Sequence, residues 1–251
     1  MKHRIIALIQ ARMGSTRLPG KVMKKINGKT VIEIIYERVK AAKKIDDIVL
    51  AIPGSKENDV LVAEGKRIGV KTFRFAGNEN DVISRYLGAI EYMGGADAML
   101  RVTADCVFVD PALVDQLVRV CREKFERYDY FTNICPPSFP DGFDLEIFPM
   151  RTLNALNKEL RSIHGREWFS LYVGKHSKRF RTYNLRARHP HTDMRVVIDF
   201  PEDLTLARKI YSELAPRKKV FSFRDIINLL KQKPEFRRIN AKYLGYVSKP
   251  V

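Results

Sequence analysis

The chain is expected to fold as an α/β protein: a mostly parallel sheet with helices on both faces. Short β-branched runs alternate with amphipathic helical patterns through its first half, and Gly, Pro or Asp punctuates the junctions. Its 251 residues are enough to bury one substantial core.

The elements follow in order. Residues 4–10 form a β-branched run. Thr30, with Glu33 three residues on, has capping-box spacing and opens a helix to about Lys43, with Val31, Ile34, Ile35 and Val39 on one side. Residues 47–52 read as strand, stopped by Pro53-Gly54. Residues 57–68 read as helix, 71–75 as strand, 80–93 as helix and 97–102 as strand. Pro111 sits where the first turn of the next helix, to about Arg127, should begin, and 129–132 is a fifth strand. Ligands of such sheets bind beyond the carboxyl ends of the strands, which singles out the segments after Gln10, Ile52, Phe75, Val102 and Thr132.

The rhythm breaks from Cys135 to about His191. Pro136, Pro137 and Pro140 mark a loop, 145–148 reads as an edge strand, and 151–160 and 166–173 as helices. Residues 195–199 read as a buried strand and 201–214 as a helix. Residues 222–230, capped by Ser222, read as the last helix. One domain over 1–251, with 136–190 as an inserted arm, is the economical organisation.

Forty-six Lys and Arg against 29 acids give a formal charge of +17, a field that attracts nucleic acid, an anionic surface or a phosphorylated small molecule. No acid precedes Glu33, whereas Lys2, Arg4, Arg12, Arg17, Lys21, Lys24, Lys25 and Lys29 do. Nucleic acid is disfavoured, because the sequence has no helix-turn-helix, finger or RNA-recognition pattern. No apolar run approaches the roughly 18–20 residues that cross a bilayer, and 5–9 is too short for a signal segment, so the expected compartment is the cytoplasm. Cys106, Cys121 and Cys135 cannot all pair and match no zinc spacing; reduced, mostly buried thiols are expected. His189-Pro-His191 with Asp193 reads as a loop rather than a metal site.

The loop after the first strand, Gln10 to Lys21, carries the chemistry. Gly14 and Gly20 let the backbone turn, Ser15 and Thr16 offer donors, and Arg12, Arg17 and Lys21 bring three positive charges without a local acid. At the end of a strand this suits a polyphosphate. It is not a Walker A loop: the glycine spacing is one residue too long, and Val22 stands where the Mg²⁺-binding hydroxyl belongs.

The segment QARMGSTRLPGK closely resembles the opening motif of the cytidylyltransferases that make CMP-activated acidic sugars, the CMP-Kdo and CMP-sialic acid synthetases. It is closest to their branch called spore coat polysaccharide biosynthesis protein F. Six further blocks follow in order: FAGNENDVISRY (75–86), RVTADCVFVDP (101–111), DYFTN (129–133), PDGFDLEIF (140–148), RVVIDFPEDL (195–204) and KPEFRRIN (233–240).

The resemblance implies a three-layer sheet of the nucleotide-diphospho-sugar transferase type, a homodimer, and Mg²⁺-dependent transfer of CMP from CTP to an acidic sugar or related acceptor. It implies that Arg12, Arg17 and Lys21 contact the triphosphate, that Gln10, Ala11, Gly14 and Ser15 line it, and that Asp105 and Asp199 bind Mg²⁺. Both aspartates follow strands, where a loop or helix-cap carboxylate is the alternative. Base recognition falls to Ala51 and Pro53 and to Asp81 and Arg85, which are also spaced for an i,i+4 ion pair. The acceptor falls to Asp141, Asp144 and Glu146, the last two on one face of a strand, with Arg166 and Arg195 for a carboxylate or phosphate.

The branch usually has Gly-Asp-Cys-Pro where Ala104-Asp105-Cys106-Val107 stands, and a His-containing segment where Glu167-Trp168-Phe169 stands. Trp168 would reshape the acceptor pocket. A sugar-phosphate nucleotidyltransferase using another base is the second expectation, but such enzymes usually open with a more glycine-rich loop.

Overall fold

The computed structural model describes residues 3–246, so Lys2 of the N-terminal cluster lies outside them. In chain order the strands and α-helices are β1 (Ile5–Gln10), β2 (Lys25–Ile26), β3 (Lys29–Thr30), α1 (Val31–Lys40), β4 (Asp47–Pro53), α2 (Asp59–Ile68), β5 (Lys71–Phe75), α3 (Val82–Tyr92), β6 (Ala98–Thr103) and α4 (Pro111–Glu123). Then come β7 (Tyr130–Thr132), β8 (Glu146–Pro149), α5 (Met150–Glu159), α6 (Ile163–Glu167), α7 (Phe169–Lys175), β9 (Thr182–Asn184), α8 (Pro201–Leu214), α9 (Phe223–Gln232) and α10 (Pro234–Arg238).

Seven strands form one sheet in the order β5-β4-β1-β6-β8-β7-β9. Both of its faces are buried, because alternate β1 side chains point opposite ways. Ile5, Ala7 and Ile9 join a core under α1, α4, α8 and α9, while Ile6 and Leu8 join a second under α3, α5 and α7. The three-layer α/β architecture is as expected.

Caps set the helix starts. Thr30 Oγ1 accepts from Glu33 N at 3.2 Å, but Glu33 turns its carboxylate to Arg67, so only half of the anticipated capping box forms. Asp110 caps α4 ahead of Pro111, and Ser222 with Asp225 makes a full box on α9.

Several expectations need correction. The segment at 145–148 is not an edge strand: β8 lies inside the sheet, antiparallel to both β6 and β7. Residues 195–199 make no ladder. They run extended and buried, with a single bridge from Arg195 to Asp141. Trp168 breaks the helix expected at 166–173 into α6 and α7, and α10 follows what looked like the last helix. The β2–β3 hairpin and β9 were not anticipated, each being only two or three residues long. The stretch 136–190, read as an inserted arm, supplies β8 and β9 to the sheet.

Reversing β8 has a consequence for function. An antiparallel strand brings its N-terminal end to the edge where parallel strands bring their carboxyl ends. Glu146 opens β8 opposite Arg101 of β6, so the 141–145 loop enters beside the carboxyl end of β6, one strand from β1. Gly142 lets that loop lie flat on the 195–198 segment, with φ at 109° and a hypothetical Cβ only 2.5 Å from Val197 N. Gly28 also has a positive φ, 82°, but has open space around it. Gly142→Ala is therefore expected to lower stability by about 1–3 kcal/mol more than Gly28→Ala does in chemical denaturation, because strain and collision add. Equal losses would show that the loop does not need this close approach.

Candidate active site

The loop after β1 is held from two sides. Met13 N donates to Asn58 Oδ1 at 2.9 Å, and Asn58 is fully buried with its amide on Ser55 Oγ at 2.7 Å. Ser15 Oγ accepts from Leu18 N at 3.3 Å, closing the turn. Gly20 takes a φ of 63°, but Gly14 has no positive φ, so only the second glycine is needed for conformation. Ala11 is buried, and its N–H meets Ala51 O at 3.4 Å. Ala51 and Pro53 are likewise buried at the end of β4.

The three cations part company. Arg12 reaches the loop before α3, 3.3 Å from Glu79 Oε1 and 3.2 Å from Asn80 Oδ1. Arg17 and Lys21 turn the other way, to Asp199 Oδ1 at 2.8 and 2.9 Å. Lys21 Nζ also reaches Asp105 Oδ2 at 3.4 Å and Ile198 O at 2.8 Å. Two carboxylates more than ninety positions apart thus share one ammonium beyond the carboxyl ends of β1 and β6. Burial alone would depress Lys21, yet Asp105 and Asp199 hold its pKa above the ordinary value. Burial opposes ionisation of Asp105 too, but Lys21 and the Thr103 hydroxyl bring it down to about 2.

Neither aspartate is a helix cap. Asp110 caps α4, and the α8 cap is supplied by Asp203, whose carboxylate accepts from the N–H groups of Asp199 and Phe200, both at 2.9 Å. Asp203 also takes the Arg195 guanidinium at 3.1 and 3.0 Å and the Asn240 amide at 2.8 Å. Sequence reasoning missed Asp203, although an acid three positions after Phe200 in Phe-Pro-Glu-Asp was a legible sign. Asn240 gave no sign.

Two more acids crowd this edge. Asp141 pairs with Arg195 at 2.6 Å, yet burial, with help from Asp105 and Asp199, pushes its carboxyl up to about 6. Asp144 makes no hydrogen bond among the described residues; burial and the charges of Asp141, Glu146 and Asp105 push it up to about 8. Such an excess of carboxylate is what a divalent cation relieves, and Mg²⁺ is met by one or two carboxylates together with phosphate oxygens. Nε of Arg17 and Nε of Arg85 are buried without an acceptor among the described residues. The surplus of acids suits a metal ion held together with phosphate oxygens.

A family model described as cytidylyltransferase matches residues 6–232. The chain belongs to the cytidylyltransferase family. It is 30% identical over 238 residues to spore coat polysaccharide biosynthesis protein SpsF of Bacillus subtilis, covering 92% of this chain and 95% of that one. It is 34% identical over 130 residues to the 8-amino-3,8-dideoxy-manno-octulosonate cytidylyltransferase of Shewanella pealeana, covering 51% of each. The structure of a cytidylyltransferase from Leptospira borgpetersenii superposes with a TM-score of 0.88 at 31% identity, covering 94% of this chain and 97% of that one. The protein is thus an enzyme, a nucleotidyltransferase, with the fold of its family.

The remaining candidates of this cytidylyltransferase are drawn into internal contacts. Arg166, expected near an acceptor, pairs instead with Asp81 at 2.6 Å and with Ser84 and Asn157. Asp81 caps α3, accepting from Ser84 N at 3.0 Å, so Asp81 and Arg85 are not the i,i+4 pair that their spacing allows. Arg85 is 1% exposed and donates to Glu79 O at 2.9 Å. Arg195 is enclosed by Asp141, Asp203 and Asp199. Glu146, paired in sequence logic with Asp144, is buried and bound to Arg101 and to Tyr130. All three cysteines are free, two of them buried.

Asp144 supplies a pH test. Its folded carboxyl keeps a proton up to about pH 8, whereas an unfolded aspartate releases it near pH 4. Stability present below pH 4 is therefore lost progressively as pH rises to 8. Asp144→Asn cannot ionise, so in EDTA its melting temperature should gain on the wild type from pH 5 to pH 8. A difference that stays flat across that range would contradict the assignment.

Proposed function

We propose that this cytidylyltransferase transfers CMP from CTP to an oxygen of an acidic sugar or a related anionic acceptor, releasing pyrophosphate, in the synthesis of surface polysaccharide or glycoconjugate precursors. One observation carries the reading: Arg17 and Lys21, from the glycine-punctuated loop, meet Asp105 and Asp199 at the carboxyl edge of the sheet. The family supports CTP, and the octulosonate substrate in the Shewanella relative's name supports an acidic sugar.

Arg12, Arg17 and Lys21 bind the triphosphate and neutralise the charge that grows as the α-phosphorus is attacked in line and pyrophosphate leaves. Asp105 and Asp199 would hold Mg²⁺, which supplies Lewis-acid stabilisation and lowers the pKa of an attacking hydroxyl. Asp144, the carboxyl at this edge without an internal hydrogen bond, faces the acceptor. Asp141 and Arg195 act behind it, fixing the loop against the 195–198 segment. The attacking hydroxyl gives up its proton to solvent or to a phosphate oxygen, its release favoured by that lowered pKa, and charge neutralisation is the main catalytic contribution.

Lys21→Ala, Arg17→Ala and Asp105→Asn are each expected to lower kcat/KM for CTP-dependent pyrophosphate release by about 100-fold or more, the scale of losing one charge-stabilising contact in the transition state. A panel of octulosonic and nonulosonic acids, sugar phosphates and polyols identifies the acceptor. The cytidylyl reading fails if UTP or GTP is consumed as well as CTP, or if Asp105→Asn retains wild-type turnover in Mg²⁺.

A further inference from the structure

A file of buried polar groups runs behind the phosphate loop, and it is not accounted for by catalysis. Glu146 is 2% exposed. One of its oxygens accepts from the Tyr130 hydroxyl at 2.5 Å, and the other accepts from Arg101 Nη1 across the β6–β8 ladder, where the two residues are register partners. Arg101 Nε donates to the Tyr86 oxygen at 3.1 Å. Tyr86, which has no exposed surface, donates in turn to Gln10 Oε1 at the end of β1.

The direction of this file is forced. Arginine can only donate, so Arg101 takes up the Tyr86 oxygen, and the Tyr86 hydrogen then needs an acceptor in a site that water does not reach. Among the described residues Gln10 is the only partner left for it. Were the Gln10 amide turned over, its NH₂ would face the hydroxyl and strand that hydrogen. The buried carboxylate of Glu146 therefore dictates, three hydrogen bonds away, which way round the Gln10 amide stands. Gln10 itself is half-buried, and among the described residues its side chain is bonded through Oε1 alone, leaving Nε2 without a partner.

We propose that Glu146, Arg101 and Tyr86 are positioning residues that lock Gln10 as a hydrogen-bond donor to an acceptor oxygen of the bound nucleotide. This rests on the reading of the loop as a nucleotide site and assigns Glu146 to that site rather than to the acceptor. A locked amide does not lose rotational freedom on binding, and it offers nothing to a ligand that presents a donor at that place.

A double-mutant cycle on the KM for CTP tests it, because a purely structural role would not act through Gln10. Gln10→Ala is expected to raise KM about tenfold with kcat little changed, the size of one hydrogen bond to a ligand. Gln10→Glu keeps an acceptor for Tyr86 but removes the donor, and it should do at least as much harm. Tyr86→Phe should raise KM in the wild type by roughly fivefold or more yet leave it unchanged in the Gln10→Ala background. Multiplicative losses in the double variant would overturn the relay. So would a Gln10→Glu enzyme with unaltered KM, which needs no change in the buried residues and so does not depend on Tyr86→Phe folding. A wild-type protein that binds no CTP would overturn the nucleotide reading as well, whereas normal CTP turnover with an indifferent Gln10 would overturn the relay alone.

Discussion

Asp199 is the point on which this molecule turns. Its carboxylate draws Arg17 and Lys21 out of the first loop, and its backbone is pinned by Asp203 at the start of α8. Lys21 then reaches Asp105, so that three segments distant in sequence are fastened together. Buried charge tolerates this only when every partner is present, because removing one leaves the others uncompensated in a poorly solvated place. The same constraint holds cations and acids together at one edge of the sheet.

Behind Asp199 stands a layer whose members resemble ligand-binding residues in sequence but are engaged within the fold. Arg195 is gripped by Asp203 and Asp141, and Asn240 closes the other side. Arg166 similarly staples α6 to the start of α3 through Asp81 and Ser84. These are second partners to the residues at the edge: they orient carboxylates and loops, and they leave Asp144 as the acid with free hydrogen-bonding capacity. The position of β8 explains why. Inserted antiparallel between β6 and β7, it carries the acidic loop to the same edge as the phosphate loop and drops Glu146 onto Arg101.

Much of this was legible beforehand, and the pattern of what was not is physical. Strands β1, β4, β5 and β6 and helices α1 to α4 follow local signals, namely β-branched runs, caps and apolar spacing, which act over a few residues. The loop from Gln10 to Lys21 was equally plain, since its glycine and its cations are contiguous. Strand β8 was recognised as a strand but misplaced at an edge, because periodicity reports burial of side chains and says nothing of the neighbour's direction. The 195–199 stretch has the composition of a strand, yet it finds a single bridge partner and remains extended chain.

What the sequence determined by itself is the α/β class, the glycine-punctuated run of cations after β1 and, through its ordered motifs, the cytidylyltransferase family. Those rest on residue type and short spacing, which folding does not alter. Only the tertiary structure decided which charges meet. It sent Arg17 and Lys21 to Asp199 and Arg12 to Glu79, joined Arg166 to Asp81, and buried Glu146. A guanidinium or carboxylate accepts any opposite charge that comes within reach. Reach is set by how strands are ordered in the sheet, and that order is written in no single segment.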